Sequence, residues 1–369
     1  MGSALEPQCT GHSALGLDDD ETSISARYRT HLCSRRLGQG QFSKAYTCWH
    51  KNAPETCFAM KVFSTEPGAC EHALNEVEVL KLLGSHPRII RLVESEGSCE
   101  EQELPMRVIL ELCEGGQLFD KLTEKGQYEE GEAAQVVQQL LEALEFMHGQ
   151  GVMHRDLKLE NVLLISRESD VDVKVCDFGI AKMSELHPCA EAPTTLDSVK
   201  PITMMRGVPR STSFKGSHHY LAPELIFQEE YGPEIDVWAL GVMTFGLLSG
   251  VLPFMSRDDD LRELYRKITR CELSFDSEAW EDKRHISRDF VRALLAIEPQ
   301  SRPSASAAMK HPFLVQADPS TWAADDGDET CELDINEEED DEDDFGFSCY
   351  ARSHSPIRIG FGEKWKKKK

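Results

Sequence analysis

Asp156, Lys158 and Asn161 stand close together in His154-Arg155-Asp156-Leu157-Lys158-Leu159-Glu160-Asn161, and Asp177-Phe178-Gly179 follows soon after. A carboxylate at Asp156 can accept a hydroxyl proton, and an ammonium at Lys158 can neutralise charge on a transferring phosphoryl group. The chain between reads as a strand Val162–Ile165, a turn Arg167–Asp170 and a strand Val173–Cys176. In an antiparallel hairpin the start of one strand lies beside the end of the other. Asn161 and Asp177 are therefore brought together. An amide oxygen and a carboxylate there make a hard-cation site suited to Mg²⁺ carrying a nucleotide. A solvated polar turn is the alternative, but it leaves the spacing and the hairpin unexplained together.

A second group lies upstream. Gly38-Gln39-Gly40-Gln41-Phe42-Ser43 falls between two candidate strands. Glycines let a turn bring backbone N–H groups close to phosphate oxygens, although such a run by itself also marks ordinary hairpin turns. Phe58-Ala59-Met60-Lys61 then places one lysine in an apolar strand. A buried amine is costly unless paired, and Glu76 on the next helix can supply the partner. A lone lysine there would instead snorkel to the surface.

The elements that must position these residues divide into two kinds. Arg35–Leu37, Ala45–Trp49, Phe58–Phe63 and Arg107–Leu112 read as short strands, interrupted by a helix through Leu74, Val77, Leu80 and Leu83. Beyond Glu114-Gly115-Gly116 the pattern is mainly helical, as in Ala133–His148 and Asp259–Arg270. The expectation is an α+β, bilobal architecture: a small antiparallel sheet lobe with one helix over residues 28–113, and a larger helical lobe over 114–314. Residues 1–27 and 315–369 read as disordered tails.

Composition narrows the function classes. The chain has 369 residues, 40 Lys+Arg against 65 Asp+Glu, and a net charge of −25. That balance argues against general binding to nucleic-acid phosphates. No apolar run reaches the roughly 20 residues of a membrane-spanning helix; Ala239–Phe254, interrupted by glycines and Pro253, reads as a buried helix and its exit. Twelve cysteines without a signal-peptide pattern suggest reduced thiols in the cytosol or nucleus, and none forms a Cys-x-x-Cys pair. Asp325–Asp344 holds 14 acidic residues in 20. It reads as a solvated segment or a docking one, with Lys366–Lys369 suited to weak membrane contact or a nuclear signal.

The ordered set of His154–Asn161, Asp177-Phe178-Gly179, the glycine loop, Lys61 and Ala222-Pro223-Glu224 resembles the eukaryotic protein kinases, and Lys158 resembles the serine/threonine branch. Glu114–Asp120, Asp236–Val242, the Phe275…Trp280…Ile286-Ser287 spacing and His311-Pro312-Phe313 resemble the calcium/calmodulin-dependent group, as in calcium-dependent kinases but without EF-hands. The resemblance implies ATP and Mg²⁺ between the lobes and protein substrates with Ser/Thr acceptors. Leu37, Gly38, Gly40 and Ser43 would lie over the nucleotide; Lys61, held by Glu76, would contact its phosphates. Ala45, Ala59 and Leu163 would sandwich adenine behind Leu110, with Glu111 and Leu112 at the hinge and Gln117 near the ribose. Asp177 and Asn161 would hold metal, with Asp156 and Lys158 at the acceptor. Leu80, Leu92, Phe178 and His154 match an apolar spine based on Asp236, and a Glu224–Arg302 pair would close the large lobe. The alternative in another class is a pseudokinase scaffold that binds partners and transfers nothing.

Departures from the family pattern are informative. The segment from Asp177 to Glu224 is long, and an insertion around Glu185–Arg206 is expected to be disordered. Ser217-His218-His219-Tyr220 stands where Thr-Pro-x-Tyr is common, and Gln117 replaces a Glu that helps recognise a substrate Arg; Glu160 remains, which leaves a weaker basic preference. The resemblance places an activating phosphate on Ser213, with Ser211 and Thr212 as competing acceptors, to pair with Arg155 and Lys182.

No stretch has the spacing of an EF-hand, and the region after Phe313 is acidic where a calmodulin target is a basic amphipathic helix. Ca²⁺–calmodulin is therefore expected to leave the activity of the purified chain unchanged. A several-fold stimulation in a phosphotransfer assay would contradict this.

Overall fold

Runs of β-branched, aromatic and small residues punctuated by Gly, Asn and Pro open the folded region, and in the computed structural model they are strands. Residues 23–30, 36–97, 105–183, 205–206 and 217–315 are described. All belong to the first of two compact units, Met1–Ala324.

The sheet lobe comprises α1 (Ile24–Arg27), β1 (Tyr28–Thr30), β2 (Arg36–Gln39), β3 (Ser43–His50), β4 (Ala53–Phe63), α2 (Ala69–Leu83), β5 (Leu92–Glu96) and β6 (Arg107–Glu111). Its antiparallel sheet runs β1-β3-β4-β6-β5, with β2 paired to β3. The expected strands are present with shifted ends: β2 runs on to Gln39, β3 is longer at both ends and β4 at one through their mutual pairing, and β6 stops at Glu111, one residue before the expected Leu112. Helix α2 begins at Ala69, ahead of the apolar repeat, where Gly68 takes a left-handed φ of 86° at its N-cap. It buries Val77, Val79, Leu80 and Leu83, each contributing about 1.5–3 kcal/mol.

The expected tail 1–27 is corrected at its end. Ser23 Oγ accepts from Ala26 N at 3.0 Å and caps α1. Ile24 is fully buried with Cys48, Met60 and Ile109, and its N–H donates to Glu96 Oε2 at 2.7 Å. One turn is too short to show helical periodicity, so only the docked isoleucine marks it.

The helical lobe begins with β7 (Gly116–Gln117), α3 (Leu118–Lys125) and α4 (Glu130–Gly149), followed by β8 (Val152–Met153), β9 (Val162–Leu164), β10 (Val173–Val175) and β11 (Lys182–Met183). Then come β12 (Met205–Arg206), α5 (Pro223–Ile226), β13 (Glu230–Tyr231), α6 (Glu234–Ser249), α7 (Leu261–Thr269), α8 (His285–Leu294), α9 (Ala305–Ala308) and α10 (Pro312–Val315). Strand β12 pairs with β13, which orders the end of the expected insertion. The rest of Glu185–Arg206, and the acidic and lysine-rich tail, lie outside the described residues.

Helix α6 is buried on every side from Ile235 to Ser249, as a helix apolar all round must be. It stops where Gly250 takes a φ of 76°. Trp238 stacks on Phe254, and Trp280 packs on Phe245 and Phe275. The two lobes meet at a backbone seam: Ile90 N donates to Val175 O, and Val175 N to Arg88 O, both at 2.9 Å.

Arg302 and Glu224 pair bidentately beneath this core, at 2.6 and 2.8 Å. Three carbonyls, of Ala296, Ile297 and Glu234, take the remaining guanidinium donors. The two side chains are 0 % and 2 % exposed. Removing one partner strands a buried charge, so Arg302→Met is expected to cost about 3–5 kcal/mol in urea unfolding. A loss under about 1 kcal/mol would show that water reaches Glu224.

Candidate active site

The hairpin of β9 and β10 pairs Val162 with Val175 and Leu164 with Val173. Cys176 N donates to Asn161 O at 2.9 Å. Asn161 and Asp177 thus flank the open end of the hairpin, as its antiparallel register requires.

On the loop before β9, Lys158 Nζ lies 2.6 Å from Asp156 Oδ2. Asn161 Nδ2 donates to Asp156 O at 2.8 Å and to its Oδ2 at 3.2 Å. The loop is held from below by Asp236 on α6. Its carboxylate accepts from His154 N and Arg155 N, each at 2.9 Å, and meets His148 Nε2 at 2.9 Å. Burial alone would raise the Asp236 carboxyl, but His148, His154 and the Arg155 N–H hold it below its ordinary value. Arg155 has a φ of 69°, a left-handed conformation that a non-glycine residue keeps only where its surroundings enforce it.

Lys61 projects from β4, opposite Ala45 on one side and Val108 on the other. Its ammonium lies 2.6 Å from Glu76 Oε2 and 2.8 Å from Asp177 Oδ1. Burial opposes the charge on Lys61, yet Asp177 and Glu76 raise its pKa above the ordinary value. Lys61 in turn depresses Asp177 to about 2. Burial pushes Glu76 upward against the pull of Lys61. The Phe178 and His154 rings meet edge-on at 4.9 Å, and both residues are fully buried, with Leu80 at 1 % exposure. Leu92 packs against this core.

The other cleft residues are placed as follows. Gly38 pairs with Ala45 and Ser43 with Phe63; Gly40 N donates to Ser43 O at 2.9 Å, closing the turn. Leu37 is 45 % exposed at its edge. Ala59 pairs with Leu110, and Gln117 with Leu163. Glu111 ends β6; its carboxylate accepts from Arg91 N at 2.8 Å and from Lys174 Nζ at 2.6 Å. Leu112 follows it, half-buried. Burial raises Cys176 well above its ordinary value and pushes Cys113 up to about 12, so both thiols are poor nucleophiles. Ser217 lies in the 3-10 turn to Tyr220, and Ser213 lies outside the described residues. Arg155 faces the Tyr231 ring at 5.9 Å, and its Nε is buried without a hydrogen-bond partner.

A divalent cation fits the donor set at the hairpin mouth. Asp177 Oδ1 is taken by Lys61, and its side chain is 48 % exposed. Asn161 directs its amide nitrogen toward Asp156, which turns its oxygen the other way. Among the described residues no group of three or more His, Cys, Asp or Glu side chains could hold a metal. Two protein ligands completed by phosphates and water suit Mg²⁺, which sheds its water reluctantly.

Asn75 escaped the sequence reading. It sits one residue before Glu76, off the apolar repeat, and its amide reaches three backbone carbonyls just after Asp177. An amide beside a glutamate on a helix leaves no periodic signal.

Residues 32–314 match the protein kinase domain. Calcium/calmodulin-dependent protein kinase type 1 of Macrobrachium nipponense is 33 % identical over 80 % of this chain and 78 % of its own. Calcium-dependent protein kinase 11 of Arabidopsis thaliana is 34 % identical over 78 % of this chain and 54 % of its own. Human calcium/calmodulin-dependent protein kinase type IV is 34 % identical over 75 % and 53 %. The chain thus spans about half the length of the plant and human relatives. No helix among the described residues is long and apolar enough to cross a membrane.

The depressed Asp177 pKa makes its pairing with Lys61 a pH-dependent contribution to stability. It is fully present above the ordinary value of 3.8 and is lost as pH falls through about 2. The stability difference between wild type and Asp177→Asn, from denaturant titrations, is expected to shrink as pH falls from about 4 toward 2. A difference that grows on acidification would contradict the pairing.

Proposed function

Because the chain belongs to the protein kinase family, with calcium/calmodulin-dependent protein kinases among its relatives, we propose that it transfers the γ-phosphoryl group of ATP to Ser and Thr hydroxyls of proteins. The observation that carries this reading is the joint placement of Lys61 between Glu76 and Asp177 and of Lys158 and Asn161 on Asp156. A scaffold that transfers nothing has no need of both.

In this mechanism the protein mainly positions. Gly38, Gly40 and Ser43 form the turn that covers the phosphates, and Lys61 pairs with the α/β-phosphates while Glu76 holds its ammonium. Leu37, Ala45, Ala59 and Leu163 enclose adenine; Glu111 and Leu112 border it, and Gln117 lies near the ribose. Mg²⁺, when bound, offsets the negative charge of the phosphates. Asp177 and Asn161 are the residues that would hold it. Asp156 accepts the hydroxyl hydrogen and aims the oxygen, and Lys158 offsets charge on the transferred group. Asn161 keeps the Asp156 carboxylate from rotating.

A weak preference for substrates with basic residues rests on Glu160. Glu160 Oε2 is buried without a hydrogen-bond partner, and burial raises its carboxyl pKa. A substrate guanidinium or ammonium would satisfy it. Arg155, with its unpartnered Nε, is the residue to which a phosphate on Ser213 would be drawn. Ser217, a further regulatory candidate, follows on the same segment.

Losing the oriented carboxylate or the phosphate-binding ammonium should cost at least a few kcal/mol of transition-state stabilisation. Asp156→Asn and Lys61→Met are therefore expected to lower phosphate transfer to a basic test protein by roughly hundred-fold or more. Turnover by Asp156→Asn near that of wild type would overturn the mechanism. Wild type and both variants alike in transferring nothing would favour the scaffold.

A further inference from the structure

The mechanism above gives Asn75 no task, yet its side chain is engaged more heavily than any surface amide needs to be. Nδ2 lies 3.0 Å from Phe178 O, 3.2 Å from Gly179 O and 2.8 Å from Ala181 O. An amide nitrogen has two hydrogens, so the three acceptors share them and must stay gathered around one point. These carbonyls belong to the backbone immediately after Asp177, whose φ is 67°. Such a conformation persists in a non-glycine residue only where its surroundings over-determine it.

One turn earlier on α2, His72 closes on the same segment. A Cβ at Gly179 would lie 2.9 Å from His72 Nδ1, so glycine lets the chain pass close enough for Asn75 to reach it. Helix α2 therefore holds this segment twice. Glu76 acts through Lys61 on the Asp177 side chain, and Asn75 acts on the backbone behind it. The first hold is an ion pair whose ammonium is shared with the phosphates in the mechanism above. The second lies off the nucleotide path and does not compete with it.

We propose that Asn75 is a positioning residue: by clamping the carbonyls of Phe178, Gly179 and Ala181 to α2, it fixes the Asp177 carboxylate in its metal-facing orientation independently of the Lys61–Glu76 pair. The proposal rests on the reading of Asp177 as a Mg²⁺ ligand.

Two readouts on the full chain test it, in wild type, Asn75→Ala and Asn75→Asp. The aspartate keeps the shape but turns an oxygen toward the three carbonyls, so it carries the comparison if the alanine variant folds poorly. Amide exchange without nucleotide, followed by mass spectrometry over Cys176–Met183, is expected to quicken by about tenfold or more in both variants as the clamp opens. Binding of a fluorescent non-hydrolysable ATP analogue in EDTA should stay within about twofold of wild type, while the gain in affinity on adding Mg²⁺ should fall about fivefold or more. A destabilised helix without a positioning role would weaken binding equally with and without Mg²⁺. That result, or unchanged exchange and an unchanged Mg²⁺ gain, overturns the proposal. A wild type with no Mg²⁺ gain at all overturns the reading of Asp177 and with it the metal-facing role, while the exchange comparison still decides whether the clamp exists.

Discussion

The buried carboxylate of Asp236 is the constraint from which the site is built. It sits near the start of a helix that has no solvent face, at 1 % exposure. A carboxylate there must have its oxygens satisfied. The groups that satisfy it are the N–H donors of His154 and Arg155 and the His148 ring. The requirement that a buried charge be paired thus fixes the backbone one residue before Asp156. It also supports the left-handed turn at Arg155, which the chain would otherwise leave. Everything downstream, from Lys158 to the hairpin and Asp177, starts from that anchored point.

A second buried charge plays the matching part in the sheet lobe. Lys61 is sheltered by the sheet and satisfied by carboxylates from two different elements, Glu76 on α2 and Asp177 after β10. One ammonium therefore ties helix, sheet and hairpin together. The tie is directional because each carboxylate approaches from its own element. The two anchors work from opposite sides of the cleft. Asp236 sets the Asp156 side and Lys61 the Asp177 side.

Most of this arrangement was legible in the residues. The antiparallel register of two short apolar runs already required Asn161 and Asp177 to meet, and a lysine in an apolar strand already required an acid such as Glu76. Both arguments concern costs that do not depend on distant packing, which is why they transfer from sequence to space. The Asp236 anchor, the Glu224–Arg302 pair and the ring contact of Phe178 with His154 became legible only through family resemblance, since nothing local joins residues so far apart. Two features left no mark. The turn at Ile24–Arg27 is shorter than the period that would reveal it, and is held by one isoleucine and a serine cap. Asn75 acts on backbone carbonyls, which every residue carries, so no complementary side chain betrays its partner.

The seam between Arg88–Ile90 and Val175 sets where the molecule can flex. Any tilt of the sheet lobe that keeps those hydrogen bonds has its fulcrum there, two residues before Asp177. Points on a fulcrum travel least, and the glycine loop, at the far end of the sheet, travels most. The chain is therefore geared like a lever with its long arm at the glycine loop and its short arm at Asp177. Such a lever can lift its tip while hardly disturbing the carboxylate beneath it.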